Sequence, residues 1–122
     1  MPENVALILA AGLGKRMKAN KNKVLLELNG KPIIEHTLDA FQKSKIDAMI
    51  LVVNERDMEF MKEIAKKYDK IIDVVLGGKE RQDSALNGIL AAEKIKAEKV
   101  YLQDGARCLI TPELINKIID VV

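Results

Sequence analysis

Residues 10 to 17 read Ala-Ala-Gly-Leu-Gly-Lys-Arg-Met, directly after the apolar run Val5 to Leu9. Small side chains at Ala10, Ala11 and Gly12 let a backbone come close to a ligand, and successive amides can then point at phosphate oxygens. Arg16, and Lys23 eleven residues after Gly12, would bring full positive charges to the same anion. Between Lys15 and Lys31 stand Lys15, Arg16, Lys18, Lys21, Lys23 and Lys31, opposed only by Glu27, which concentrates positive potential in one stretch. Lysines alone are as readily a solvated face, so the loop chemistry has to decide.

Two phosphate-loop templates fail. A P-loop requires G-x-x-x-x-G-K followed by Ser or Thr, but Arg16 follows Gly14-Lys15 and Leu9 stands where the first glycine belongs. The dinucleotide fingerprint requires a third glycine where Met17 stands, and no acidic residue ends a second strand about twenty positions on. What remains is A-A-G-x-G-x-R-M after a first strand, with a lysine downstream.

The elements that must position this loop alternate along the chain. Continuous apolar runs at Val5 to Leu9 and Met49 to Val53 read as strands covered on both faces, and Ile71 to Leu76 and Val100 to Leu102 as two more. An apolar patch at Val24 to Leu28 leads to a turn at Asn29-Gly30. Helical periodicity predicts helices from Pro32 through Phe41, from Glu55 to Tyr68 and from Arg81 to Ala92. Thr111 should cap a last one, with Pro112 and Glu113 in its first turn. Strands and helices in alternation imply a three-layer α/β/α architecture with a mostly parallel, Rossmann-like sheet. Ligands of such sheets bind beyond the carboxyl ends of the strands. The loop after strand one, Gly77 to Ser84, and Asp104 to Arg107 would therefore share one crevice.

Composition narrows the function. A chain of 122 residues, 48% hydrophobic and 31% charged, has the profile of one globular domain. Twenty basic against eighteen acidic side chains argue for neither a nucleic-acid nor a membrane partner. Cys108 is the single cysteine, which excludes an internal disulfide and a thiolate zinc site and suits a reducing cytoplasm. The sole histidine, His36, reads as structural or exposed, and Met58, Phe60 and Met61 as core or surface. The apolar stripe of the last helix is still running at Val122, so a longer parent chain is expected.

"AAGLGKRM" matches at every specified position the opening signature of the nucleoside-triphosphate transferases that make activated sugars and polyols. Two further stretches resemble one branch of them, the 2-C-methyl-D-erythritol 4-phosphate cytidylyltransferases of isoprenoid precursor synthesis. "GGKERQDSALNGI" from Gly77 is similar to its G-G-x-x-R-x-x-S-V-x-x-G-L block, and "QDGARCLI" from Gln103 to its H-D-[AG]-A-R-P block. Departures stand at Asn22, Val24, Ala85, Gln103 and Cys108, and "KVLLELNGKP" looks more like the sugar-1-phosphate uridylyltransferases.

The resemblance implies a fold of the nucleotide-diphospho-sugar transferase type, with residues 1–122 as one nucleotide-binding domain, the N-terminal part of a longer enzyme. It implies transfer of CMP from CTP to 2-C-methyl-D-erythritol 4-phosphate with loss of pyrophosphate, in the cytoplasm and with Mg2+. Ala10, Ala11 and Gly12 would lie against base and ribose, Gly14 would admit the triphosphate, and Arg16 and Lys23 would be the catalytic cations. Gly77, Gly78 and Ser84 would read the cytosine edge, Asp104 would hold the metal, and Arg107 would shape its loop. The acceptor-binding residues and the dimerisation arm of a homodimer belong to the half not present here. Two other readings stay open: a nucleotidyltransferase for ribitol phosphate or a sugar phosphate, and a non-catalytic nucleotide-binding module.

Overall fold

The computed structural model describes residues 3–11, 27–105 and 110–121. Its centre is a four-stranded sheet of β1 (Asn4–Ala10), β4 (Ala48–Val53), β5 (Ile71–Leu76) and β6 (Lys99–Asp104), in the order β5-β4-β1-β6. All three pairings are parallel, as the alternation of strand and helix requires. Apart from Asn4 at the start of β1, every residue of β1 and β4 is buried, which explains why both read as uninterrupted apolar runs. A small antiparallel hairpin of β2 (Glu27–Leu28) and β3 (Lys31–Pro32) turns at Asn29 and Gly30, both at positive φ. Asparagine and glycine are the residues that tolerate this backbone.

Helices cover both faces. On one side α1 (Ile33–Gln42), α2 (Met58–Ala65) and α4 (Pro112–Val121) lay Ile34, Leu38, Phe41, Met61, Ile64 and Ile115 over Ala6, Ile8, Met49, Leu51 and Val53. On the other, α3 (Arg81–Lys94) packs Ala85 and Ala92 toward Val5, Leu7, Ile50 and Val52. No helix among the described residues is long and apolar enough to cross a membrane.

The helix limits differ from the periodicity in three places. Pro32 is the extended residue before α1, at φ −55° and ψ 142°, not a member of its first turn. The helix expected over Glu55 to Tyr68 splits. Asn54 Oδ1 accepts from the Asp57 amide at 3.0 Å and holds a 3-10 turn ahead of α2. After Ala65 the bonds tighten, with Lys67 N donating to Ile64 O at 3.0 Å and Tyr68 N to Ala65 O at 3.1 Å. The third helix runs past Ala92 to Lys94, and the chain turns at Lys96, φ 58°, where Ala97 N donates back to Ala92 O at 3.1 Å. A lysine there carries no glycine-type stop signal in the sequence. Thr111 does cap α4, its Oγ1 accepting from Leu114 N at 3.2 Å.

Candidate active site

Of the site residues singled out in the sequence, the described ones, Ala10, Ala11, Gly77, Gly78, Ser84 and Asp104, lie at or just beyond the carboxyl ends of β1, β5 and β6. Gly77 continues the sheet past Leu76, its amide donating to Val53 O at 2.7 Å. A Cβ placed on Gly77 would lie 2.5 Å from Ala11 Cβ and 2.5 Å from Ser84 Oγ. Only glycine lets these three backbones meet so closely. Ser84 is buried, and its Oγ accepts from the Gly78 amide at 3.0 Å, so the first turns of α3 tie down the glycine loop. Ala10 has its side chain in the core cluster with Met49 and Leu51, whereas Ala11 lies with Leu9 and Val52 on the α3 face.

The start of α3 is closed by its own acids. Glu80 and Asp83 form a capping box, with the Glu80 amide donating to Asp83 Oδ2 at 3.1 Å. These carboxylates stand where an anion could otherwise meet the helix end.

Asp104 ends β6 opposite Leu9. The next residue is fixed from two sides: Gly105 N donates to Leu9 O at 2.8 Å, and buried Thr37 donates its hydroxyl to Gly105 O at 2.9 Å. The Asp104 carboxylate itself reaches solvent and accepts on Oδ1 from Arg81 Nε and from the terminal Arg81 nitrogen, each at 3.4 Å. Sequence reading assigned no role to Arg81 or Thr37. Arg81 had a signal, being the fixed arginine of the glycine block, but Thr37 sits among the apolar positions of α1, and nothing local announces its long-range bond.

Gly12, Gly14, Arg16, Lys23 and Arg107 lie outside the described residues. The structure thus brings Ala11, Gly77, Gly78 and Ser84 together and sets Asp104 with Arg81. His36 is structural as expected, its Nε2 donating to Leu28 O at 2.7 Å to hold the hairpin. Met61 is core and Phe60 is exposed. A groove of about 280 Å³ lies elsewhere, among Phe41, Ile46, Tyr101, Ile110, Ile115 and Ile119. Among the described residues its lining has no charged side chain to hold a phosphate.

Comparison with known proteins decides the family. The family model for 2-C-methyl-D-erythritol 4-phosphate cytidylyltransferase matches residues 4–122. The chain belongs to this family. The Clostridium acetobutylicum cytidylyltransferase is 46% identical over 121 residues, covering 96% of this chain and 50% of that protein. The enzyme of the same name from Shouchella clausii is 41% identical, with 97% and 52% covered. Among solved structures, the 4-diphosphocytidyl-2C-methyl-D-erythritol synthase of Anaerococcus prevotii superposes with a TM-score of 0.81 at 32% identity, over 98% of this chain and 50% of its own. The chain therefore spans about half the length of the cytidylyltransferases it matches.

Proposed function

We propose that residues 1–122 form the CTP-binding domain of a cytidylyltransferase that transfers CMP to 2-C-methyl-D-erythritol 4-phosphate. The observation that carries this is the Gly77 contact. Two stretches distant in sequence converge on one point at the sheet edge, where Gly77 has no room for a side chain between Ala11 and Ser84.

In the proposed reaction an acceptor phosphate oxygen attacks the α-phosphorus of CTP. The bond from that phosphorus to the bridging oxygen breaks, and pyrophosphate leaves with the electron pair. Both reactants are anions, so the protein contributes mainly position and fixed positive charge. Arg16 and Lys23 supply that charge in this reading, with Gly12 and Gly14 admitting the triphosphate. In this reading Gly77, Gly78 and Ser84 meet the cytosine edge and exclude the larger purines, and Arg107 shapes the loop after Asp104. Water-soluble reactants of this kind suit a cytoplasmic enzyme.

Asp104 is the residue that would hold Mg2+. No group of three or more His, Cys, Asp or Glu stands together among the described residues. A hard, strongly hydrated cation does not need one: it is commonly held by one or two carboxylates, water and the substrate's own phosphates. When bound, Mg2+ offsets phosphate charge as the bond to pyrophosphate breaks.

Thermal unfolding with Mg2+ and CTP, UTP or dTTP tests the reading. CTP at a hundred times its Kd should stabilise the fold by about 2.7 kcal/mol, and UTP or dTTP at the same concentration by clearly less. A preference for UTP would move the acceptor to a sugar phosphate. Indifference to every nucleotide would leave a non-catalytic module.

A further inference from the structure

The Arg81–Asp104 pair joins the first residue of α3 to the last residue of β6 at the site, and Arg81 has no part in the transfer just described. Both side chains are about three-fifths exposed, 64% and 59%. Ion pairs so open to water contribute little to stability. The pair therefore matters chiefly for the charge it leaves at the sheet edge.

Arg81 addresses Asp104 with two nitrogens, both on Oδ1, and so covers one oxygen of a carboxylate that would otherwise face an incoming triphosphate bare. A bare carboxylate repels that ligand, and a divalent cation bridging carboxylate and phosphate removes the repulsion. The guanidinium does part of the same work in advance, and it occupies one of the two oxygens open to the cation.

We propose that Arg81 is a positioning residue: the counter-ion Asp104 carries until the metal–nucleotide complex displaces it, so that Arg81 sets how strongly nucleotide binding depends on metal. The proposal rests on the reading of Asp104 as the metal carboxylate.

Calorimetric titration of the 122-residue protein with CTP, in Mg2+ and in EDTA, tests it. The quantity read is the coupling factor, the Kd in EDTA divided by the Kd in Mg2+. In Arg81→Ala this factor should rise about tenfold, the scale set by one fixed charge a few ångströms from the ligand, with most of the change in the EDTA arm. Arg81→Lys keeps a point charge and should stay within about threefold of wild type. In Asp104→Asn the factor should fall toward one, and adding Arg81→Ala should then change nothing.

Equal weakening of both Kd values by Arg81→Ala overturns the proposal, because that is what a simple nucleotide contact or a damaged fold would give. An unchanged coupling factor in Arg81→Ala, with Asp104→Asn behaving as expected, overturns it while leaving the metal assignment standing. A coupling factor untouched by Asp104→Asn overturns the metal assignment and the proposal together. A wild-type protein that binds no CTP in either arm overturns the functional reading and the proposal with it.

Discussion

The two faces of the sheet are built from different materials. Beneath α1, α2 and α4 the contacts are large aliphatic and aromatic side chains, with Leu51, Ile8, Leu38 and Met61 wholly buried. Beneath α3 they are small. Ala92 and Ala85 meet the strands, and a Cβ on Gly88 would stand 3.0 Å from Val52 Cγ2 and 3.1 Å from a Leu7 methyl. Large side chains bury more apolar area per residue and so carry the stability. Small ones allow the α3 backbone to press on the sheet, and that pressing sets Ser84 against Gly77 and Arg81 against Asp104. One face holds the fold together, and the other aims the site.

The most severe way to break this division is to hollow out the first face. Leu51→Ala removes a fully buried side chain and should cost about 2–5 kcal/mol, read as a lower urea midpoint at unchanged slope. Ala92→Gly on the α3 face should cost only about 1 kcal/mol, chiefly helix propensity. Equal losses would mean that stability is shared and the contrast is wrong.

A finer test compares two glycines on the α3 side. Gly88→Ala pushes a methyl to 3.0 Å from the Val52 side chain, where a small rotation relieves the contact, and it gains about 1 kcal/mol of helix propensity. Its net effect on unfolding should be near zero. Gly77→Ala meets Ala11 Cβ and Ser84 Oγ at 2.5 Å; Ala11 Cβ is fixed to its backbone, and turning Ser84 Oγ away gives up its bond from the Gly78 amide. The backbones must part, at about 1–3 kcal/mol, and CTP binding measured by calorimetry should fall at least tenfold. Full CTP affinity in Gly77→Ala would separate the close approach from the site.

The contrast also explains what could be read from sequence. Large apolar residues announce themselves by spacing, so the buried strands, the apolar stripes of α1 and α2 and the parallel sheet were legible, whereas of the stripe expected on α4 Ile115 is buried and Leu114 and Ile118 are exposed. The glycine block was legible as a motif, but its geometry was not, since nothing in "GGKERQDS" says that Gly77 touches Ala11, sixty-six residues earlier. Asp104 was legible from its place after an apolar run, whereas its pairing with Arg81 depends on how far α3 leans over the strand ends. Thr37 was hidden for a related reason. Its buried hydroxyl serves Gly105, and such a bond across 68 residues leaves no local pattern.

A polar seam on the first face yields the smallest expected effect. Tyr68 donates its hydroxyl to Asp39 Oδ1 at 2.7 Å, and Lys31 pairs with the other carboxylate oxygen, which fastens both the β2–β3 hairpin and the turn after α2 to α1. Burial opposes ionisation of Asp39, but the hydrogen bonds from Lys31 and Tyr68 outweigh it and hold the carboxyl below its usual value. Burial and the Asp39 carboxylate push the Tyr68 hydroxyl upward, so it stays a proton donor across ordinary pH. A carboxyl lowered in the folded state stabilises that state fully above its unfolded pKa of about 3.9, and the contribution disappears as pH falls through the folded value. Asp39→Asn should therefore be less stable than wild type by a constant amount above about pH 5, with the gap narrowing below it. Tyr68→Phe removes one of the bonds that lower the carboxyl, so its own gap should narrow in the same range. The check is urea denaturation of the three proteins from pH 7 down to the onset of acid unfolding, and parallel stability curves throughout would show that the seam carries no net charge stabilisation.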